Sequence, residues 1–142
     1  MSDSYNLNRF LSAQEQIYPS ALAEIKSGRK RSHWMWFIFP QLDGLGFSET
    51  SRFYAIKSKE EAIAYLNHTI LGARLQEITE ALLNINGKTA SEIFGSPDDV
   101  KLKSSMTLFA LVSKENSVFQ QVLDKYFNGV KDTKTLHLLN EE

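Results

Sequence analysis

Between residues 71 and 85 the apolar positions fall at alternating steps of four and three: Leu71, Leu75, Ile78, Leu82 and Ile85. That spacing puts all five on one face of an α-helix, and Gly87 supplies a stop. The rest of the chain parses the same way. A first helix starts near Leu7 and carries Phe10 and Leu11. Pro19 either kinks it or opens a second helix, because a proline inside a helix removes one bond and clashes with the turn before it. Ala21, Leu22 and Ile25 form the next stripe, ended by Gly28. Ser32 is placed to cap a segment over 33–39 that stops at Pro40, although so short an apolar run also reads as a buried strand.

Past a glycine-containing loop, Ser48 caps a short helix through Tyr54. Ser58 with Glu61, and Thr89 with Glu92, fit capping boxes, in which the hydroxyl and the carboxylate each satisfy a free backbone donor. Ser96-Pro97-Asp98-Asp99 reads as a helix start, with a capping serine, proline in the first turn and acids at the positive end of the dipole. Val118, Phe119, Val122, Leu123, Tyr126 and Phe127 mark a further helix, stopped at Asn128-Gly129, and Asp132 caps a last one carrying Leu136 and Leu139. No Asn-Gly turn separates two alternating runs, so no hairpin is expected. The pattern predicts an all-α fold: one domain over residues 1–142, with about seven or more helices and only 33–39 open to an extended alternative.

Composition narrows the function classes. The chain has 142 residues, 42% hydrophobic and 23% charged, which suits one globular core rich in its nine phenylalanines. It has no cysteine, which excludes disulfides, thiolate nucleophiles and cysteine-based zinc sites. No metal and no cofactor are implied. The longest apolar run, Trp34 to Phe39, is far too short to span a membrane, and the polar first eight residues lack a signal peptide's apolar stretch. A cytoplasmic location without membrane attachment is the expectation. A net charge of −1 argues against nucleic acid as a partner. Oligomeric state is left open.

One stretch is distinctive: Gly28-Arg29-Lys30-Arg31-Ser32-His33-Trp34-Met35-Trp36-Phe37-Ile38-Phe39-Pro40-Gln41-Leu42, followed by Gly44-Leu45-Gly46 and Ser48. Together with Phe94-Gly95, Pro97-Asp98-Asp99 and the run from Ser104 to Phe109, it resembles the signature of a bacterial family known as domain of unknown function 1810. The resemblance covers nearly the whole chain. It implies a mainly helical fold and carries no activity or catalytic residue. Thr69 departs from it, standing where the family pattern has proline. The order of elements in the C-terminal half also resembles, without a matching catalytic motif, helical proteins linked to NAD and ADP-ribose metabolism, which implies a nucleotide-like substrate class.

The candidate chemistry gathers in the same stretch. Lys26, Arg29, Lys30 and Arg31 form a basic cluster able to hold an anion, the arginines through a planar fork; the bland alternative is a solvated loop. Trp34 and Trp36, two residues apart, cannot share a helix face, so one is free to stack on a ligand unless both pack in the core. His33 and His68 are candidate acid–base groups, since histidine titrates near neutrality, and Asp98 is a third unless it only serves the helix start. Ser104, Ser105 and Thr107 place hydroxyls inside a helix, where they bond backbone or ligand. The expected site binds an anionic, nucleotide-like small molecule, with its processing left open, and has Lys30, Arg31, His33, Trp34, Trp36, Gln41 and Arg74 as its ligand-binding residues. The alternative is a non-catalytic helical module for protein–protein interaction, since tryptophan and arginine are enriched at binding hot spots.

Overall fold

The computed structural model describes residues 3–141. Helix α1 (Asn8–Gln14) stops before Ile17, and Pro19 falls in the first turn of α2 (Tyr18–Lys26), where a missing N–H costs no helical bond. Residues 33–39 are not a strand. They form the single turn α3 (Met35–Ile38), with the N–H of Ile38 and Phe39 donating to the carbonyls of Trp34 and Met35. Ser32 does not cap this turn, because its hydroxyl and N–H both go to Glu24.

Helix α4 (Glu49–Tyr54) is capped by Ser48 as expected, and α5 (Lys59–Asn67) by Ser58. A single residue, His68, then ends α5 and starts α6 (Thr69–Leu83). Its ring Nδ1 accepts the N–H of Ile70 and of Leu71, both at 3.2 Å. Thr69 is the first helical residue, the position that also suits proline. The corner is tight enough that a Cβ on Gly72 would run into the Leu66 carbonyl oxygen. Leu71, Leu75, Ile78 and Leu82 are buried along α6 as their spacing predicts. The helix ends at Leu83, two residues before Ile85.

Helices α7 (Ala90–Phe94), α8 (Asp98–Leu111), α9 (Val118–Phe127) and α10 (Thr133–Leu138) complete the ten helices among the described residues. The Thr89–Glu92 box forms in full. Ser96 does not cap α8: Pro97 holds that position, and the Asp99 N–H bonds to the Gly95 carbonyl. Lys125 and Tyr126 of α9 donate to the carbonyls of Leu83 and Leu82, so α6 ends on side chains from a packed neighbour. Rings link the core: Phe10 to Tyr65 edge-on at 5.1 Å, Tyr65 to Phe109 at 5.5 Å, and Phe109 to Phe119 at 5.7 Å. No helix among the described residues is long and apolar enough to cross a membrane.

An excursion over residues 42–56 is closed by one parallel β-bridge between Leu42 and Ile56. Arg9 holds its C-terminal end, next to the bridge. The guanidinium has five N–H donors, and all are used: Nε to the Phe53 carbonyl, Nη1 to those of Tyr5 and Asn6, and Nη2 to that of Ala55 and to Glu61 Oε2 at 2.6 Å. Glu61 therefore completes only half of its expected box. Ser58 accepts the Glu61 N–H, while the Glu61 carboxylate turns to Arg9 and to the Lys57 N–H. Both side chains of the pair are buried. Removing one member of a buried ion pair strands the other charge, at about 3–5 kcal/mol. Arg9→Ala is therefore expected to lower urea-unfolding stability by about that amount. Arg9→Met combined with Glu61→Leu should lose less, because no charge is left unpaired and the remaining cost is that of the carbonyls Arg9 served.

Candidate functional site

The distinctive stretch is organised by a residue outside it. Glu24, on α2, accepts the N–H of Arg31 at 2.7 Å and of Ser32 at 3.0 Å, the Ser32 hydroxyl at 2.7 Å and the Trp34 indole N–H at 2.9 Å. Burial works against its charge. The donors from Ser32, Arg31 and Trp34 outweigh it and hold the carboxyl at about 2, below its ordinary 4.5. One carboxylate thus folds the chain from 31 to 34 back onto α2 and fixes the indole that begins α3.

The two tryptophans then divide. Trp34 has 0% exposure and packs with Phe39 and Phe94, so it is core and offers no face to a ligand. Trp36 is only half-buried and borders a cleft. Each indole carries a lysine over its ring, Lys30 over Trp34 at 4.9 Å and Lys101 over Trp36 at 4.8 Å. Asp98 joins the two, with Oδ2 3.0 Å from Lys30 Nζ and Oδ1 3.6 Å from Lys101 Nζ. The Lys30 side chain is 7% exposed and also donates to the Ser32 carbonyl, so two of its three donors are taken and the ammonium is sheltered from solvent. Lys101 is 25% exposed, and its ammonium is held more loosely.

The cleft beside Trp36 has a volume of about 390 Å³. The excursion supplies one wall through Leu45, Phe47, Ser48 and Ser51, α8 another through Val100, Lys101 and Ser104, and the first turn of α10 with its cap a third through Lys134 and Asp132. Gln41 lines it as well. Gly46 lets the wall close up, since a Cβ there would lie 2.5 Å from Ser51 Oγ. Phe47 stands 74% exposed, with Lys134 Nζ 5.7 Å from its ring centre. Asp132 caps α10 through the Thr135 N–H, and its own N–H donates to Thr107. The hydroxyls of Ser104 and Thr107 turn back to the carbonyls of Val100 and Lys103, while Ser105 is buried without a partner in the core.

The expected site residues therefore separate. Trp36 and Gln41 meet in the cleft; Lys30 and Asp98 stand behind it as an ion pair. Arg31 and His33 are exposed on the loop and do not line this cleft, and Arg74 bonds Gln14 at 3.3 Å and lies over Tyr18. His68 spends its Nδ1 lone pair on capping α6, and Asp98 pairs with Lys30 and Lys101. Among the described residues no group of three or more histidines and carboxylates could hold a metal. The residues missed from the sequence are Glu24, Lys101, Lys134, Phe47 and Asp132. Lys101, three residues after Asp98, and Asp132, read as the cap of the last helix, carried a local signal, though not one for a site.

Residues 4–139 match the family model described as "Protein of unknown function (DUF1810)", and the chain belongs to that family. A solved structure, the conserved hypothetical protein Rv1873 from Mycobacterium tuberculosis, is similar to it at 50% identity, over 97% of this chain and 99% of that one, with a TM-score of 0.95. No curated protein matches the chain.

Glu24 makes a pH prediction. Its folded pKa lies below its ordinary value, so its stabilisation is full above about 4.5 and is lost as pH falls toward about 2. Glu24→Gln should cost about 2 kcal/mol at neutral pH, the scale of hydrogen bonds to a charged acceptor. In urea titrations the gap between wild type and variant should narrow as pH is lowered through that window.

Proposed function

We propose that this member of the family binds an anionic small molecule of nucleotide-like size in the cleft bordered by Trp36, Gln41, Lys101 and Lys134. The carrying observation is the half-buried Trp36 indole beside a lysine that retains only a loose carboxylate contact, 3.6 Å from Asp98. The cleft's volume falls within the range of small-molecule sites, and it mixes an apolar lining with a few polar groups, as such sites do. Two ammonium groups supply charge, while the Gln41 amide and the Ser48 and Ser51 hydroxyls supply hydrogen bonds. None of His33, His68 and Asp98 lines the space, so the reading is one of binding, without an assigned chemical step.

The alternative, a docking face for another protein, draws on the exposed Phe47 and Val100 at the rim; it expects no response to small anions. A thermal-shift titration with nucleoside monophosphates separates the two. A ligand that binds only the folded chain stabilises it by about 2.7 kcal/mol at roughly 100 times its Kd. The expected result is a concentration-dependent rise in Tm that disappears in Lys101→Met combined with Lys134→Met. An unchanged Tm at millimolar ligand, or an equal rise in that variant, would remove the cleft from consideration.

A further inference from the structure

Both lysines of the cleft rest on aromatic faces that also border it: Lys101 on Trp36 at 4.8 Å and Lys134 on the exposed Phe47 at 5.7 Å. The cleft is thus furnished with two ready-made cation–ring pairs. We propose that it takes a planar ring carrying one anionic group, and that it does so by partner exchange; the idea rests on the cleft being the binding site. The anion draws the ammonium groups off the rings, and the ligand's own ring takes a vacated face. Each half of such a ligand replaces a contact that the other half removes. An anion without a ring leaves Trp36 or Phe47 uncovered, and a ring without an anion must displace a lysine with nothing to hold it.

Asp98 makes the exchange feasible. Its Oδ2 keeps Lys30 at 3.0 Å, so Lys101 can leave Oδ1 without stranding the carboxylate. Asp132 limits the charge that can enter. Its carboxylate caps α10 and also lines the cleft, so a polyanion filling the space would lie against a like charge. One anionic group between two lysines is the balanced load.

The test compares phenyl phosphate with methyl phosphate by isothermal titration calorimetry on the full chain. The charge is matched and only the ring differs. Phenyl phosphate is expected to bind about tenfold tighter, the scale of one aromatic stacking contact. In Trp36→Leu that ratio should fall toward one, while methyl phosphate binds no more weakly than to wild type, because Lys101 has lost its competing ring. Phe47→Ala, on a side chain outside the core, should reduce the ratio in the same direction and serves if Trp36→Leu does not fold. Equal binding of both phosphates in wild type would overturn the exchange while leaving an anion site in place. Binding of neither would overturn the site as well. Tighter binding of tripolyphosphate than of phenyl phosphate would overturn the single-anion assignment.

Discussion

The five N–H groups of Arg9 tie three separate parts of this fold together. They reach the loop before α1, the end of α4 and the start of α5, and each ends on a buried or half-buried oxygen. Carbonyls at the end of a short helix have no partner within it, and leaving them dry would be costly. The guanidinium supplies those partners at Phe53 and Ala55. It can lie buried because Glu61 matches its charge. With Arg9 and the Leu42–Ile56 bridge both fastening its base, the excursion is held as a wall, with Phe47, Ser48 and Ser51 along the cleft.

A second anchor acts from the other side. Glu24 seats the Trp34 indole, and Gln14 donates to the Phe37 carbonyl at 2.7 Å and to the Tyr65 hydroxyl at 3.0 Å. The single turn α3 is thereby held from both ends, although four residues are far too few to be stable as an isolated helix. Its orientation decides what each tryptophan does. Trp34 is turned inward as ballast for the core, and Trp36, two positions on, emerges at the cleft. The family signature is thus half core and half candidate site, with Lys30, Asp98 and Lys101 as the polar seam between the halves.

The parts of the fold that were legible are those written in local spacing. The stripe on α6, the Thr89 box, the Ser48 and Asp132 caps and the stop at Asn128-Gly129 all involve residues within a turn or two of one another. What escaped is non-local. Glu24 meets partners seven to ten residues away across a loop, and Arg9 meets Phe53 and Glu61 from 44 and 52 residues away. Glu61 shows the competition directly: its serine-to-glutamate spacing is a genuine capping signal, and a buried guanidinium overrides half of it. Segment 33–39 was ambiguous for the same reason, since its shape comes from Glu24 and Gln14 rather than from its own apolar run. At the candidate site, Trp36 and Gln41 were readable because the signature carries them. Lys134 and Phe47 reach the cleft only through the packing of α10 and the excursion.

The basic cluster looked like the obvious anion site, and its environment explains why the proposed site lies elsewhere. Arg31 and His33 are exposed, and Lys30 is spent on Asp98 and Ser32. At about 4 Å two unit charges attract by about 1 kcal/mol in bulk water and by about 4 kcal/mol at an effective dielectric near 20. The same charge is therefore worth more beside a half-buried indole than on an open loop, provided that it is not already neutralised. Lys101 meets both conditions. It is three-quarters covered, and its carboxylate partner is shared with a lysine held closer. Density of positive residues along the chain is a poor guide to where an anion is held; what matters is which cation is sheltered from water and still has a donor to give.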